Sequence, residues 1–259
     1  MNRYIGLYII ALAGLVGGEN LSQLSFLTPL SLAILLFGTL GLWRLDDRPF
    51  RALGFPKGAR WPLQLVLSIL AGVGIVLLFL AIVAVTNSAT ITAKGEITGS
   101  LPPLIFRTLV WTALIAASEE LIFRGGYFQV LSGRTTIIVG AITSAALWAI
   151  FHLPAMNADD VLIYQLVFGL LTFTAFGTAL ALAAVLAGGS LWVPIGIHYG
   201  YNLAFSAFGA LFSTEISGPP YLTGAPNWSP ETGIMGVIVW TIVAAILYWQ
   251  FRRRTAAAG

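Results

Sequence analysis

The sequence has no cysteine, only two histidines, and 9% charged residues among its 259. Without cysteine there are no disulfides, no thiolate nucleophile and no cysteine-ligated metal site. A soluble domain averages about 25% charged residues, so 13 basic and 10 acidic side chains cannot cover a water-soluble fold of this length. The net charge is only +3 and the basic residues lie in short clusters, unlike the concentrated basic face of a nucleic-acid binder. Soluble secreted domains, nucleic-acid binders and coiled coils are excluded. What is abundant is apolar: 58% hydrophobic residues and a mean hydropathy of +0.90. The composition is that of a polytopic membrane protein.

A spanning helix needs about 20 mainly apolar residues, and charge-free intervals mark the candidates. Tyr4–Gly18 gives a short first span, and Asn20–Trp43 contains the second. The third lies at Pro62–Val85 and the fourth at about Pro103–Leu131, interrupted by charge. Thr135–Phe151 is the fifth, ending at His152-Leu153-Pro154. Val161–Thr214 runs 54 residues without charge, enough for two crossings with a break at Gly188-Gly189-Ser190 or Pro194. Thr232–Gln250 is the eighth. The expectation is an all-α bundle of about eight membrane helices, forming one integral membrane domain over residues 1–259. The N-terminus also has the outline of a signal peptide but no clear small-x-small cleavage site, so it reads as a retained first helix.

With eight spans both termini share a side. That side carries Arg3, Arg44, Arg48, Arg51, Lys57, Arg60, Arg134 and Arg252-Arg253-Arg254, while the other receives only Lys94 and Arg107. Ten basic residues against two place both termini in the cytoplasm. The Arg44–Arg60 loop, with Phe50 and Phe55, reads as a plain tether, and residues 212–231 form the longest external loop.

Polar groups inside spans carry the chemistry. A charge at bilayer depth costs roughly 2.5–3.5 kcal/mol on insertion scales and faces a cavity or a partner. Glu120 and Arg124 are one turn apart and can pair. Glu119 is rotated about 100° from Glu120 and is left for another use, unless all three residues simply snorkel to the headgroups. Both histidines also lie in or at spans: His152, with Trp148 one turn before it, and His198, with Asn202 one turn after. A lone membrane histidine usually bonds a neighbouring helix. Three helices that share an unpaired acid and both histidines instead suggest a common polar cavity. In such a cavity a carboxylate can take a proton from water, an imidazole can relay it, and an amide can donate to an oxyanion.

Glu119-Glu120-x-x-x-Arg124, then Trp148-x-x-x-His152, then His198-x-x-x-Asn202 occur in order. This pattern resembles the CPBP intramembrane proteases, the CAAX-protease and bacteriocin-processing group also called Abi proteins, relatives of the type II CAAX prenyl endopeptidases. The resembling core runs over about residues 103–208. The one departure is Trp148, where the family commonly has phenylalanine; both are aromatic walls for the histidine. The resemblance implies an endopeptidase in which Glu119 and His152 activate water, Arg124 holds Glu120, and His198 and Asn202 stabilise the oxyanion. It also implies a membrane-embedded or lipid-attached protein or peptide as substrate. Small size and minimal loops suit a bacterial or archaeal plasma membrane. The family has been described both as metalloproteases and as metal-independent glutamate proteases.

Glu119, His152 and His198 make a chemically sensible zinc set with an open position. However, the chain has no His-Glu-x-x-His helix, and a glutamate base with His198 and Asn202 as donors uses each group once, so the metal-free reading is preferred and zinc is the alternative. Measured from Leu131, Thr135 and Leu191, Glu119, His152 and His198 rise roughly 18, 26 and 10 Å at 1.5 Å per residue. They meet only through tilt, a re-entrant 125–134 segment containing Gly125-Gly126, or a lower start for the fifth helix. A proton-coupled transporter and a catalytically silent scaffold are the competing functions; no inverted repeat favours the former. The charge bias yields a direct expectation. Reporters fused after Pro56 and after Thr223 fall on opposite sides, the first cytoplasmic; same-side signals contradict the topology.

Overall fold

The computed structural model describes residues 2–19, 27–46, 50–55, 60–95, 101–153, 163–216, 222 and 233–258. Helix α1 is Asn2–Glu19 and α2 is Leu27–Leu45. Helix α3, Trp61–Thr86, starts with Pro62 in its first turn, where a missing N–H costs nothing, and ends at Asn87 in the left-handed region (φ 49°). Helix α4 runs unbroken over Leu101–Ser132, although its turns alternate between α and π geometry. Helix α5, Ile137–Phe151, is capped by Thr136, whose hydroxyl accepts from the Val139 N–H at 3.3 Å. Helices α6, Ile163–Leu186, and α7, Trp192–Leu211, are separated by the Gly188-Gly189 turn, and α8 is Ile234–Ala258.

The break between α6 and α7 falls where the glycines predict it. Gly188 and Gly189 take φ of 73° and 84°, which L side chains rarely adopt, and the Gly189 N–H returns to the Ala184 carbonyl at 2.8 Å. Among the described residues, α3, α4, α6 and most of α8 are long and apolar enough to cross a bilayer, while Leu32–Leu45 and α5 are shorter apolar helices. Large apolar side chains point outward, with Leu63, Leu67 and Leu70 on α3 and Ile238, Ile242 and Ile246 on α8 exposed. Such faces suit lipid and not water. This is a helical, polytopic membrane bundle.

Two features depart from the sequence expectation. Strands β1, Ala89–Ala93, and β2, Phe212–Ile216, pair antiparallel, from Ala89 opposite Ile216 to Ala93 opposite Phe212. This small ribbon ties the end of α3 to the end of α7, so the bundle is not purely α. It escapes a hydropathy reading because five residues rich in threonine and serine carry no span signal; past β2, residues 217–221 and 223–231 of the expected external loop lie outside the described set. Second, the Arg44–Arg60 connection is no plain tether. Leu53 is fully buried, the Phe55 ring stands edge-on to Trp192 at 5.1 Å, and the Gly54 carbonyl accepts from the Leu191 N–H at 2.7 Å. The segment is bonded to the turn that starts α7. The Phe50 side chain lies outside the described set.

The packing fixes helix depth. Helix α7 lies along α3 so closely that a Cβ on Gly72 would overlap the Ile197 carbonyl, and one on Gly200 the Ile69 carbonyl. Helix α6 packs between α5 and α8, and α1 packs on α2. Helix α1 also brings Tyr4, Tyr8 and Ala11 into the core, where the Tyr127 hydroxyl donates to the Tyr4 carbonyl (2.7 Å) and the Tyr8 hydroxyl to the Leu147 carbonyl (2.6 Å). The first helix is thus bonded directly to α4 and α5.

Candidate active site

Glu119 and Glu120 are on α4, Trp148 and His152 are at the end of α5, and His198 and Asn202 are on α7. The structure brings all three helices to one depth, and two contacts explain how. A Cβ on Gly140 would lie 2.7–2.9 Å from Ser132, so Gly140 is level with the end of α4 and the first turn of α5 starts below it. From these level points His152 and Glu119 are about 12 and 13 residues away, each a rise of roughly 18–20 Å. Likewise a Cβ on Gly125 would meet the Leu191 side chain at 3.1 Å. Leu191 is thus level with Gly125, not with Leu131, and from there Glu119 and His198 are both about two turns away. The Gly140–Ser132 approach agrees with a lower start of the fifth helix. The re-entrant 125–134 segment does not form, because α4 continues through Gly125-Gly126 as helix.

Two hydrogen-bonded groups meet at the centre. In the first, Glu120 Oε1 accepts from Arg124 Nη1 and from His198 Nδ1, both at 2.8 Å. Glu120 and Arg124 are fully enclosed. Glycine at 177 makes this possible, since a Cβ there would stand 2.7 Å from Arg124 Nη2. The Arg124 guanidinium carbon also lies 4.8 Å over the Trp148 ring. In the second group, Glu119 Oε2 accepts from the Trp148 indole N–H at 2.6 Å. The same oxygen is 3.9 Å from both His152 Nε2 and His198 Nε2. That gap is too long for a direct bond and short enough for a bridging water.

The partners fix the proton positions. A carbonyl only accepts, so the 2.8 Å contact from His152 Nδ1 to the Trp148 carbonyl makes Nδ1 the N–H of His152. Its Nε2 then faces Glu119 with a lone pair whenever the ring is neutral. The carboxylate of Glu120 assigns an N–H to His198 Nδ1 in the same way.

A cavity of about 310 Å³ opens beside these groups, lined by Glu119, His152, His198 and Asn202 together with apolar and aromatic side chains. Asn202 therefore shares the space of the other three. Apart from Trp148, the rest of the lining is not marked out in the sequence. Tyr201 and Phe205 continue the His198–Asn202 stripe at helical spacing, so that face was legible in principle. Phe173 and Phe176 carried no such signal, being aromatics in an unbroken apolar run. From the sequence Trp148 is an aromatic wall; its N–H bond to Glu119 depends on the register between helices.

Nitrogen and oxygen donors of Glu119, His152 and His198 are zinc ligands in kind. Among the described residues no group of three such side chains stands ready to hold an ion as arranged, and Glu119 Oε2 accepts the indole N–H.

Residues 101–204, about two fifths of the chain, match the family described as Type II CAAX prenyl endopeptidase Rce1-like. No curated protein matches the chain. The match contains Glu119, Glu120, Arg124, Trp148, His152, His198 and Asn202.

The two acids have different surroundings, and their neighbours should respond differently to removal. Arg124→Ala leaves the buried Glu120 carboxylate with His198 as its remaining donor, a loss of up to about 3–5 kcal/mol in stability. Glu119→Gln keeps an oxygen for the Trp148 N–H and should melt close to wild type. Melting in detergent compares them directly, and a larger loss for Glu119→Gln contradicts this division.

Proposed function

We propose that the chain, whose residues 101–204 match the Type II CAAX prenyl endopeptidase Rce1-like family, is a protease that cleaves membrane-embedded or lipid-attached proteins or peptides by metal-free hydrolysis. The observation that carries the reading is the convergence of His152 Nε2 and His198 Nε2 on Glu119 Oε2, 3.9 Å from each, inside a cavity that also holds Asn202.

A water between Glu119 and His152 donates one hydrogen to each, because the carboxylate and the bare Nε2 are both acceptors. Its oxygen lone pair is then free to attack. Glu119 takes one proton as that oxygen bonds to the scissile carbonyl carbon. The resulting oxyanion accepts hydrogen bonds from His198 Nε2–H and the Asn202 amide. As the intermediate collapses, the C–N bond breaks and the proton on Glu119 passes to the leaving amine. To donate at Nε2 while bonded to Glu120 through Nδ1, His198 carries both protons. Glu119 and Glu120 are then balanced by Arg124 and His198, which suits a site enclosed at membrane depth.

The proposed architecture is one integral membrane domain of eight spans with both termini cytoplasmic, and a catalytic core over about residues 103–208. It is supported by helices α1–α8 among the described residues and by the cluster of Arg252, Arg253 and Arg254 at the end of α8. A transporter reading gains no support, since the intramembrane acids are held in place by Arg124 and Trp148.

Asn202→Ala tests the oxyanion role. Losing such a donor costs about 2.7–4 kcal/mol of barrier, or roughly 10²- to 10³-fold in turnover, against about 0.6–2 kcal/mol of stability for a mere packing bond. The expected result in a detergent cleavage assay is that fall in kcat with KM little changed. A raised KM at constant kcat contradicts it. In the same assay, activity persists through prolonged chelation; full loss that zinc alone restores overturns the metal-free reading.

A further inference from the structure

Trp148 touches Glu119, His152 and His198, three residues assigned a chemical role. It is 1% exposed. Its indole N–H donates to Glu119 Oε2 at 2.6 Å, and its carbonyl accepts from His152 Nδ1 at 2.8 Å. The ring stands edge-on to His152 and His198, with centroids 4.7 and 5.5 Å away, and Arg124 lies over its face. On the α6 side it is itself braced by Phe173 and Phe176, both edge-on at 5.5 and 5.6 Å.

The two bonds make different demands on residue 148. Any residue supplies the carbonyl that fixes the His152 tautomer, whereas the bond to Glu119 needs an N–H at the far edge of a large rigid ring. A glutamate carboxylate turns through a broad range about its last torsion, so burial alone does not decide which oxygen faces the imidazoles. A charge-assisted donor on one oxygen does. Phenylalanine fills similar space and offers no donor.

We propose that Trp148 is a positioning residue for the hydrolysis, its indole N–H fixing Glu119 Oε2 between the Nε2 atoms of His152 and His198 so that the base is aimed before substrate arrives. This rests on the reading of Glu119 as the base. The contribution is to orientation, so it appears in turnover and not in substrate affinity.

Trp148→Phe in detergent or nanodiscs should remain folded by its melting curve. Its kcat should fall about 10- to 100-fold, the scale of one lost hydrogen bond to a charged group, with KM within about twofold. Benzothienylalanine at position 148 keeps the bicyclic shape and replaces only the N–H with sulfur. It should show the same loss, and it decides the matter if Trp148→Phe does not fold. A readout independent of activity is the ¹H–¹⁵N indole resonance of Trp148, expected downfield in wild type and moved upfield in Glu119→Gln, where the acceptor is neutral. Wild-type kcat with benzothienylalanine, or an indole resonance indifferent to Glu119→Gln, overturns the proposal and leaves Trp148 as a wall. Full activity in Glu119→Gln removes the base reading instead, and the resonance then still reports whether the indole–Glu119 bond exists.

Discussion

Two adjacent carboxylates inside a bundle that faces lipid must find partners within the protein, because neither lipid nor bulk water will supply them. Everything at the centre of this fold follows from how that is done. Glu120 takes Arg124 from its own helix and His198 from α7, which joins two helices through one oxygen. Glu119, turned to another face, takes the Trp148 indole from α5. The pair of acids thereby becomes the junction of three helices. An ordinary apolar contact tolerates sliding by a fraction of a turn, whereas these bonds at 2.6–2.8 Å do not.

Small residues let the junction close. Gly177 leaves room for the guanidinium, and Gly140 and Gly125 set the depths of α5 and α7 against α4. Gly72 and Gly200 bring α3 and α7 into backbone contact, so the helix bearing His198 is backed by one that contributes no polar group to the site. Among the described residues, the first, third and eighth helices add none of the proposed catalytic groups. They hold the others at fixed height through Tyr4, Tyr8, Phe79 and Trp240 in the shared core. A site of four or five polar groups in a membrane thus needs most of the chain to position it.

The helices were legible in the sequence because lipid imposes long charge-free runs, and the break at Gly188-Gly189 because glycine takes a positive φ far more readily than other residues. The Glu120–Arg124 pair followed from helical spacing alone. Depth was not legible: counting from loop ends assumed that Leu131, Thr135 and Leu191 were level, and close packing at Gly140 and Gly125 makes them unequal. The bond from His198 to Glu120 and that from Trp148 to Glu119 were out of reach for the same reason, since spacing within a helix says nothing about register between helices. The β1–β2 ribbon escapes the sequence because its two five-residue segments, rich in threonine and serine, are too short to stand out from loop.

Peptide hydrolysis by Glu119 is the claim on which the functional account stands. The most direct measurement compares the membrane proteomes of cells carrying wild type and Glu119→Gln, with both proteins present at equal abundance. The expected result is a membrane-associated precursor that accumulates only with Glu119→Gln and whose shortened product appears only with wild type. Indistinguishable proteomes, or a product formed equally by Glu119→Gln, would contradict it.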